Sequence, residues 1–276
     1  MDNRAIGVFD SGLGGLTVVR ELKKILPNEN IVYFGDTGRV PYGSRSRETI
    51  TRYTMQDIAL LKSKDVKMIV IACGTASSMI TKEIASKIDI PFTGVIAPAA
   101  QAACSLSQGG KIGVLGTTAT IRSGSYAKAI HNINPDFRVI GRDCPLFVPL
   151  VENGLIEKSN EITRLTAKMY LKTMIKENVD TLILGCTHYP LIYDIINDIM
   201  GFSAVLIDPG KETAHYVQNY LTTNHMLNKS GEKAHTDFLV SDSPSGFENT
   251  AKIFLGEDIS GSVKQIDIEK VTEAIS

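Results

Sequence analysis

The 276-residue sequence has no tryptophan, few cysteines, no excess of charge of either sign and no long hydrophobic run. Lysine and arginine number 29 against 30 aspartate and glutamate residues, so we expect no broad cationic surface for a nucleic-acid backbone. No apolar run approaches the roughly 20 residues that a membrane-spanning helix needs. The first residues do not have the apolar core of a signal peptide. These absences favour a cytoplasmic globular protein that binds neither nucleic acid nor membrane.

The sequence also lacks the spacings of common cofactor sites. Its four cysteines are too scattered for a disulfide framework, and we expect free thiols in a reducing compartment. No Cys-x-x-Cys or His-x-x-x-His pair predicts zinc, and Cys186 with His188 supplies two ligands at most. The glycine-rich residues 12–15 do not form a dinucleotide fingerprint, because Thr17 occupies the last glycine position. We therefore expect no metal and no cofactor.

Short apolar runs alternate with longer amphipathic stretches along most of the chain. The pattern predicts strands at residues 5–9, 31–34, 68–72, 112–115, 137–140, 181–184, 237–240 and 263–268. It predicts helices at residues 16–26, 46–62, 75–87, 159–176, 191–200 and 245–255. Strands that are apolar throughout, and alternate with helices, are typical of parallel sheets covered on both faces. The sequence therefore predicts an α/β fold.

An internal repeat divides this pattern into two halves. Residues 65–73 align with residues 178–186, and both segments run from a polar residue through an apolar strand to a cysteine. Residues 5–11 align in the same way with residues 111–117. We predict two pseudo-symmetric parallel-sheet domains, the first formed by residues 1–97 plus 208–276 and the second by residues 98–207. The last part of the chain is too short for its own core and should pack on the first domain.

The candidate chemistry lies at the ends of predicted strands. Ligands of parallel α/β sheets bind beyond the carboxyl ends of the strands, where loops converge. Residues 10–15, 41–44, 73–75 and 186–190 occupy such positions. Cys73 and Cys186 also stand just before predicted helices, where exposed N–H groups and the helix dipole stabilise a thiolate. Asp10 belongs to the half that carries Cys73, and His188 lies two residues after Cys186.

One cysteine from each half suggests a particular type of reaction. Two facing halves would place the Cys73 and Cys186 thiols on opposite sides of one cleft. That arrangement suits removal of a proton from one face of a carbon and delivery of a proton to the other face. A thiol with an ordinary pKa of about 8.5 can serve as acid or base when its neighbours adjust it. Inversion of a stereocentre is such a reaction.

Four motifs resemble those of a known family. They are Asp-Ser-Gly-Leu-Gly-Gly-Leu at 10–16, Phe-Gly-Asp-Thr with Val-Pro-Tyr-Gly at 34–43, Ala-Cys-Gly-Thr-Ala-Ser at 72–77 and Leu-Gly-Cys-Thr-His-Tyr-Pro at 184–190. In this order they closely resemble the glutamate racemases of the aspartate/glutamate racemase superfamily. The resemblance implies cofactor-independent interconversion of L- and D-glutamate, which supplies D-glutamate for peptidoglycan. It also implies two α/β domains with the active site in the cleft between them.

The resemblance also assigns residue roles. It implies that Cys73 and Cys186 are the catalytic thiols, that Asp10 and His188 assist them, and that Glu152 is a further acidic residue at the site. Substrate contacts would come from Asp10, Ser11, Tyr42, Gly43, Gly74, Thr75, Thr187 and His188. The family usually has asparagine where this chain has Gly74, so only backbone groups are available at that position. Racemisation of aspartate or of another small carboxylate therefore stays open, as does the choice between a monomer and a homodimer.

Several non-catalytic interpretations also stay open at this point. A cysteine at the end of an apolar strand is more often a core residue, and we expect this of Cys104 and Cys144. Asp10 could serve only as a cap for the following helix. Cys73 and Cys186 could form a redox disulfide if they lie close together. The chain could also be a binder without catalysis, such as an inhibitor of a DNA-associated enzyme, as reported for some members of the family. Retention of both cysteines, Asp10 and the neighbouring histidine argues against the last interpretation.

Overall fold

The computed structural model describes residues 2–270 as two parallel sheets covered by helices. The strands within these residues are β1 (Ile6–Asp10), β2 (Ile31–Gly35), β3 (Met68–Ile71), β4 (Phe92–Gly94), β5 (Lys111–Gly116), β6 (Arg138–Asp143), β7 (Thr181–Leu184), β8 (Val205–Ile207), β9 (Thr236–Val240) and β10 (Val263–Gln265). The α/β prediction is confirmed, and every strand pair is parallel.

The helices connect these strands and cover both sheets. They are α1 (Leu16–Ile25), α2 (Arg47–Lys62), α3 (Gly74–Ser77), α4 (Lys82–Ala85), α5 (Ile96–Leu106), α6 (Thr118–Ser123), α7 (Ser125–Ile133), α8 (Phe147–Glu152), α9 (Glu161–Lys176), α10 (Tyr193–Ile199), α11 (Pro209–Thr223) and α12 (Pro244–Leu255). Short 3-10 turns occupy Thr37–Arg39, Tyr42–Ser44 and Tyr189–Ile192. Within residues 2–270, no helix is both long enough and apolar enough to cross a membrane.

The strand order reveals the repeat directly. The six-stranded sheet has the order β10-β9-β2-β1-β3-β4, and the four-stranded sheet has the order β6-β5-β7-β8. The quartet β2-β1-β3-β4 therefore has the same arrangement as β6-β5-β7-β8. Strand β9 pairs with β2, so the last part of the chain returns to the first sheet as expected. The extra strands β9 and β10 are the main difference between the two sheets.

The domain boundaries themselves stay a prediction. Ala97 lies in the first turn of α5, and Asp208 accepts hydrogen bonds at the beginning of α11. Helix α11 packs against both α1 and α5, so this helix contacts elements on either side of the first predicted boundary. Residue 1 and residues 271–276, which the prediction assigns to the first domain, lie outside the described residues.

The repeated segments also share an unusual backbone conformation. Asp65 and Asn178, which align in the repeat, have φ values of 51° and 53°. Asp and Asn tolerate this left-handed region better than other residues with a side chain. Each residue turns the chain from a long helix into the strand that leads to a cysteine. The polar residue that begins each repeat therefore suits the left-handed conformation of the turn.

The apolar core continues from one sheet to the other. One cluster of buried side chains includes Val8 and Val70 of the first sheet together with Leu115 and Leu184 of the second. Two further clusters cover the opposite face of each sheet. Successive residues of a strand point to opposite faces, so strands covered on both sides need apolar residues at every position. This explains why their sequence runs are uniformly apolar.

The prediction was wrong for one helix. The chain does not form a continuous helix over residues 75–87 but forms the short helices α3 and α4. The hydroxyl of Ser77 donates to Ile71 O, and that of Ser78 donates to Thr75 O. Thr81 then begins α4 by accepting a hydrogen bond from Ile84 N. Hydroxyl side chains that bind nearby backbone groups compete with helix continuation, which accounts for the interruption.

Other differences concern element ends and omissions. Strand β6 extends to Asp143, three residues beyond its predicted end, and β10 ends at Gln265 instead of continuing to residue 268. The sequence patterns did not predict β4, β8, α5–α8 or α11. Helix α5 is rich in alanine and has Pro98 in its first turn, so its sequence lacks a clear amphipathic period.

A buried ion pair closes the end of the first sheet that is opposite the candidate residues. The Lys67 Nζ lies 2.5 Å from Glu29 Oε2, and both side chains are almost fully buried. Lys67 also donates to the carbonyls of Asp2 and Met226, while Glu29 accepts from Asn228 N. The pair therefore joins the beginning of β3 to two distant loops.

Lys67→Met should strongly destabilise the protein, because it leaves the Glu29 carboxylate buried without its cation. We expect a loss of about 3–5 kcal/mol in the free energy of unfolding, measured by urea denaturation. The control is Lys62→Met, which breaks an exposed pair with Asp89 and should cost less than about 1 kcal/mol. Equal small losses in both variants would show that the buried pair stabilises the protein no more than the exposed pair does.

Candidate active site

A cavity of about 910 Å³ lies where the carboxyl ends of the two sheets meet. Its volume is within the usual range of about 300–1,000 Å³ for small-molecule sites. The structure brings together every candidate residue from the sequence on its walls: Asp10, Ser11, Tyr42, Gly43, Cys73, Gly74, Thr75, Glu152, Cys186, Thr187 and His188. Residues from both halves of the repeat thus share one cleft.

Cys73 lies at the end of β3 and precedes α3. Its Sγ lies 3.5 Å from the hydroxyl of Ser11 and accepts a hydrogen bond of 3.5 Å from Ala76 N at the beginning of the helix. Burial, reinforced by the charge of Asp10, raises the pKa of the Cys73 thiol to about 12. Without a ligand, Cys73 is therefore a protonated thiol at neutral pH.

Cys186 has a different environment in the second half of the cleft. Its Sγ lies 3.9 Å from His188 Nδ1, and the Nε2 of the same ring lies 3.0 Å from Glu152 Oε1. Burial by itself would lower the pKa of His188, but the contacts with Cys186 and Glu152 outweigh it and raise the value to about 10. A protonated imidazole can donate to both partners. The arrangement is a Cys–His–Glu chain with a cation next to the sulfur.

Asp10 lies on the Cys73 side and is almost completely buried. Its Oδ2 accepts a hydrogen bond of 2.9 Å from Gly12 N, whereas its Oδ1 has no hydrogen-bond partner. Burial raises the pKa of this carboxyl, and the charge of His188 and the N–H of Gly12 oppose that effect. Helix α1 begins directly after Gly15, whose N–H also lowers the pKa of the Asp10 carboxyl, and capping of this helix by Asp10 stays a prediction. The Asp10 carboxyl therefore places a buried acidic group next to Cys73 in the cleft wall.

The glycine-rich turn after β1 packs against the His188 loop. A Cβ atom at Gly14 would lie 2.0 Å from Thr187 Oγ1 and 2.7 Å from the His188 ring. The hydroxyl of Thr17 donates to Thr187 O at 3.0 Å. Gly14 thus permits close approach of this turn to the second half of the molecule. No side chain larger than hydrogen fits there without moving the side chains of Thr187 and His188.

Gly74 makes a similar contact next to Cys73. A Cβ atom at this position would lie 2.7 Å from the carbonyl oxygen of Gly185, the residue before Cys186. Real Cβ atoms do not approach backbone this closely. The absence of a side chain at Gly74 therefore lets the two cysteine loops touch through their backbones.

Tyr42 lies in the cleft wall, but its hydroxyl does not face a ligand. It contacts the carboxyl groups of Asp36 and Asp57, which lie behind the wall. Burial and these two carboxyl groups raise the pKa of Tyr42. A contact between Tyr42 and a ligand would therefore involve the backbone or the ring face. Gly43 follows it and approaches the side chain of Thr117.

Two groups of cleft residues were missed in the sequence. The first includes Thr117, whose hydroxyl lies 3.0 Å from that of Thr75 and joins the two halves. The repeat contained a signal for it, since Thr117 aligns with Ser11. The second group consists of Arg45, Arg47 and Arg122, which line the cavity with exposed side chains. Cations at the rim of a cleft favour an anionic ligand.

The remaining cysteine and metal predictions can also be compared with the structure. All four cysteines are free, so Cys73 and Cys186 form no disulfide. Cys144 is fully buried beside Phe147 in the core cluster that spans both sheets, as expected for a structural residue. Within residues 2–270, no group of three or more His, Cys, Asp or Glu side chains is arranged to hold a metal ion.

The fold and the cleft together define an α/β protein with two similar parallel sheets and one cysteine from each at a shared site. Residues 6–217 match the family model described as Asp/Glu/Hydantoin racemase. The chain belongs to this family, which confirms the prediction made from its motifs.

Individual relatives show which members of this family the chain resembles. The chain is 45% identical to a glutamate racemase of Geobacter metallireducens over 98% of this chain and 99% of the relative. It is 46% identical to one from Streptococcus pneumoniae, over 94% and 97% of the two chains. A crystal structure of glutamate racemase from Francisella tularensis in complex with D-glutamate has a TM-score of 0.90 and 39% identity, covering 98% of this chain and 100% of that one.

The pKa of Cys73 predicts how this thiol reacts with iodoacetamide. A thiol with a pKa of about 12 holds far less thiolate at pH 7.5 than an ordinary cysteine, whose pKa is about 8.5. We expect alkylation of the Cys73 peptide at least about 100-fold slower than that of a model peptide, measured by mass spectrometry. The rate should still rise above pH 10. A rate that levels off near pH 9 would contradict the raised pKa, and slow access alone would not move the midpoint.

Proposed function

We propose that the chain interconverts L- and D-glutamate by cofactor-independent proton transfer at Cα, with Cys73 and Cys186 as the two bases. The observation that carries this proposal is the shared cavity lined by one cysteine from each sheet. The similarity to glutamate racemases over nearly the full chain supports glutamate as the substrate. The product D-glutamate would serve peptidoglycan synthesis.

The reaction conserves atoms and charge. One cysteine acts as a thiolate and removes the Cα proton, leaving a carbanion between the two sulfurs. The other cysteine acts as a thiol and delivers its own proton to the opposite face. At the end the two sulfurs have exchanged protonation states, and the reverse direction uses them in the opposite order. Both groups act on a bound, oriented carbon, which makes removal of a weakly acidic proton feasible.

The surroundings of each sulfur support its role in a different way. Burial, together with the charge of Asp10, opposes thiolate formation at Cys73. A substrate ammonium near the Asp10 carboxyl would offset that charge and make the Cys73 thiolate more accessible. At Cys186 the protonated His188, held by Glu152, already provides a cation beside the sulfur. The substrate ammonium would thus provide near Cys73 the positive charge that His188 provides near Cys186.

Backbone and hydroxyl donors would bind the two carboxylates of glutamate. The candidates are Ser11, Tyr42, Gly43, Gly74, Thr75 and Thr187, with Tyr42, Gly43 and Gly74 contributing backbone groups. Donors held in a fixed arrangement stabilise the charge that spreads onto the α-carboxylate as the proton leaves. The three arginines at the rim would favour a ligand with two negative charges.

Further features of the biological context are also proposals. We infer that the enzyme works in the cytoplasm on a small-molecule substrate, without nucleic acid. We infer a first domain of residues 1–97 plus 208–276 and a second of residues 98–207. A homodimer stays a prediction, and the molar mass in solution measures it.

Replacement of either cysteine should abolish most racemisation. We expect Cys73→Ser and Cys186→Ser each to lower kcat by about 10²–10⁴-fold, the usual contribution of a positioned acid or base. Each glutamate enantiomer is followed in heavy water by circular dichroism and by deuterium incorporation at Cα. The control is Cys104→Ser, whose cysteine lies outside the cavity. Wild-type rates in both cleft variants would exclude the two-thiol mechanism.

Gly74→Ala should impair catalysis by forcing the cysteine loops apart. The added Cβ would lie 2.7 Å from Gly185 O, and neither backbone can move without displacing a cysteine. We expect kcat for glutamate to fall by roughly tenfold or more, because small misplacements of reacting groups are costly.

The control for Gly74→Ala is Gly246→Ala in α12, where a Cβ meets no atom within 4 Å. This variant should keep wild-type kcat. Measuring aspartate beside glutamate with the wild-type protein tests substrate choice at the same time. Unchanged turnover in Gly74→Ala would show that the contact does not control the spacing of the thiols, and faster turnover of aspartate would contradict glutamate as the preferred substrate.

A further inference from the structure

The cavity wall that carries Tyr42 and Gly43 is built from irregular backbone. It lies between β2 and α2 and contains only two short 3-10 turns. Behind this wall is a polar cluster formed by Asp36, Arg39, Tyr42 and Asp57, which we call the carboxylate cluster. The carboxyl groups of Asp36 and Asp57 are fully buried, and Arg39 is 11% exposed. Such a cluster is stable only when its charges and protons are matched.

Asp36 accepts a hydrogen bond on each of its oxygens. Its Oδ1 accepts from the hydroxyl of Ser241 at 2.8 Å, and its Oδ2 accepts from Arg39 Nε at 2.7 Å. The hydroxyl of Tyr42 also contacts Oδ2. Both oxygens of Asp36 thus face donors, and one of these donors is a cation. This is the environment of an ionised carboxylate.

One oxygen of Asp57 accepts a hydrogen bond from a cation, and the other oxygen lies close to a hydroxyl group. Its Oδ1 accepts from Arg39 Nη2 at 2.9 Å. Its Oδ2 lies 3.0 Å from the hydroxyl oxygen of Tyr42. The phenol of Tyr42 has a single proton, and Asp36 is a better acceptor for this proton than Asp57. If Asp57 were also ionised, two oxygen atoms would face each other at 3.0 Å without a proton between them.

A proton on Asp57 Oδ2 resolves this conflict. Asp57 then donates to the Tyr42 oxygen, Tyr42 donates to Asp36, and Arg39 pairs with one carboxylate. The buried cluster of one cation, one anion and two neutral groups has no net charge. Burial and the charge of Asp36 raise the pKa of Asp57 well above its ordinary value, in agreement with this proton count.

Other groups around the cluster do not supply the missing donor. Arg39 Nη1 donates to Gln56 at 2.5 Å and lies 3.3 Å from the mostly exposed Glu269. The guanidinium stacks 4.2 Å from the ring centre of Tyr53. Asp10 is a further anion, and its charge disfavours ionisation of Asp57. All of these neighbours are compatible with a neutral Asp57.

We propose that Asp57 is a protonated carboxylic acid that positions Tyr42, and through it the Tyr42–Gly43 wall of the substrate site. This inference rests on the proposed function, because it assigns that wall to substrate binding. Asp57 acts through Tyr42 and is a positioning residue.

The protonation state is measured without reference to activity. Carbon-13 NMR of aspartate carboxyl groups follows each signal from pH 4 to pH 9, and comparison with Asp57→Asn assigns the signal of Asp57. We expect this signal to have the shift of a protonated acid at pH 7, although an ordinary aspartate ionises near pH 3.9. An ionised Asp57 signal at pH 7 overturns the inference.

Kinetics test the positioning role. Asp57→Asn retains a donor to the Tyr42 oxygen and an acceptor for Arg39, so KM for glutamate should stay within about twofold of the wild type. Asp57→Ala removes both bonds and should raise KM by about tenfold or more, with a smaller effect on kcat. Thr54→Val is the matched control, since Thr54 is a buried polar residue of the same helix. All variants are assayed below their melting temperatures.

The outcomes separate the two proposals. Equal impairment of Asp57→Asn and Asp57→Ala, or a change in melting temperature without a change in KM, overturns the positioning role. A wild-type protein that fails to racemise glutamate overturns the proposed function, and the NMR measurement still decides whether Asp57 is protonated.

Discussion

The structure depends on a backbone-to-backbone contact between two loops that each carry a cysteine. Gly74 meets the carbonyl of Gly185, and Gly14 meets the side chains of Thr187 and His188. These contacts leave no room for a Cβ atom. Because the contacting groups are backbone at Gly74 and Gly185, the positions of the adjacent cysteines are determined by rigid strand ends and not by flexible side chains.

The two halves repeat the backbone but not the electrostatics. Strand order and the left-handed residues Asp65 and Asn178 are equivalent in both halves. Cys73, however, is buried beside an acidic group, whereas Cys186 lies beside a histidine held by Glu152. A repeated scaffold gives two sulfurs similar access to one ligand. Different neighbours then surround the two sulfurs with charges of opposite sign, an acidic group beside Cys73 and a protonated histidine beside Cys186.

Much of this arrangement could be predicted from local patterns. Parallel strands buried on both faces require continuous apolar runs, and the runs before Cys73 and Cys186 identified their strands. Helix interruption at Ser77 and Ser78 could not be predicted in the same way, because hydroxyl groups choose between solvent and backbone only in the folded chain. The same limit applies to Tyr42, whose presence in the cleft was expected but whose hydroxyl turns to Asp36 and Asp57 on the other side of the wall.

By itself, the sequence determined the α/β class, the duplication and the placement of one cysteine at the end of an equivalent strand in each half. These features depend on the order of residues within short segments. Only the tertiary structure decided that Gly74 is a steric requirement, that Asp10 is left with an unpartnered oxygen and that Thr117 joins the halves. Each of these properties arises where segments far apart in the chain exclude water and come into contact. Local sequence patterns contain no information about which atoms of a distant segment form the other side of such a contact.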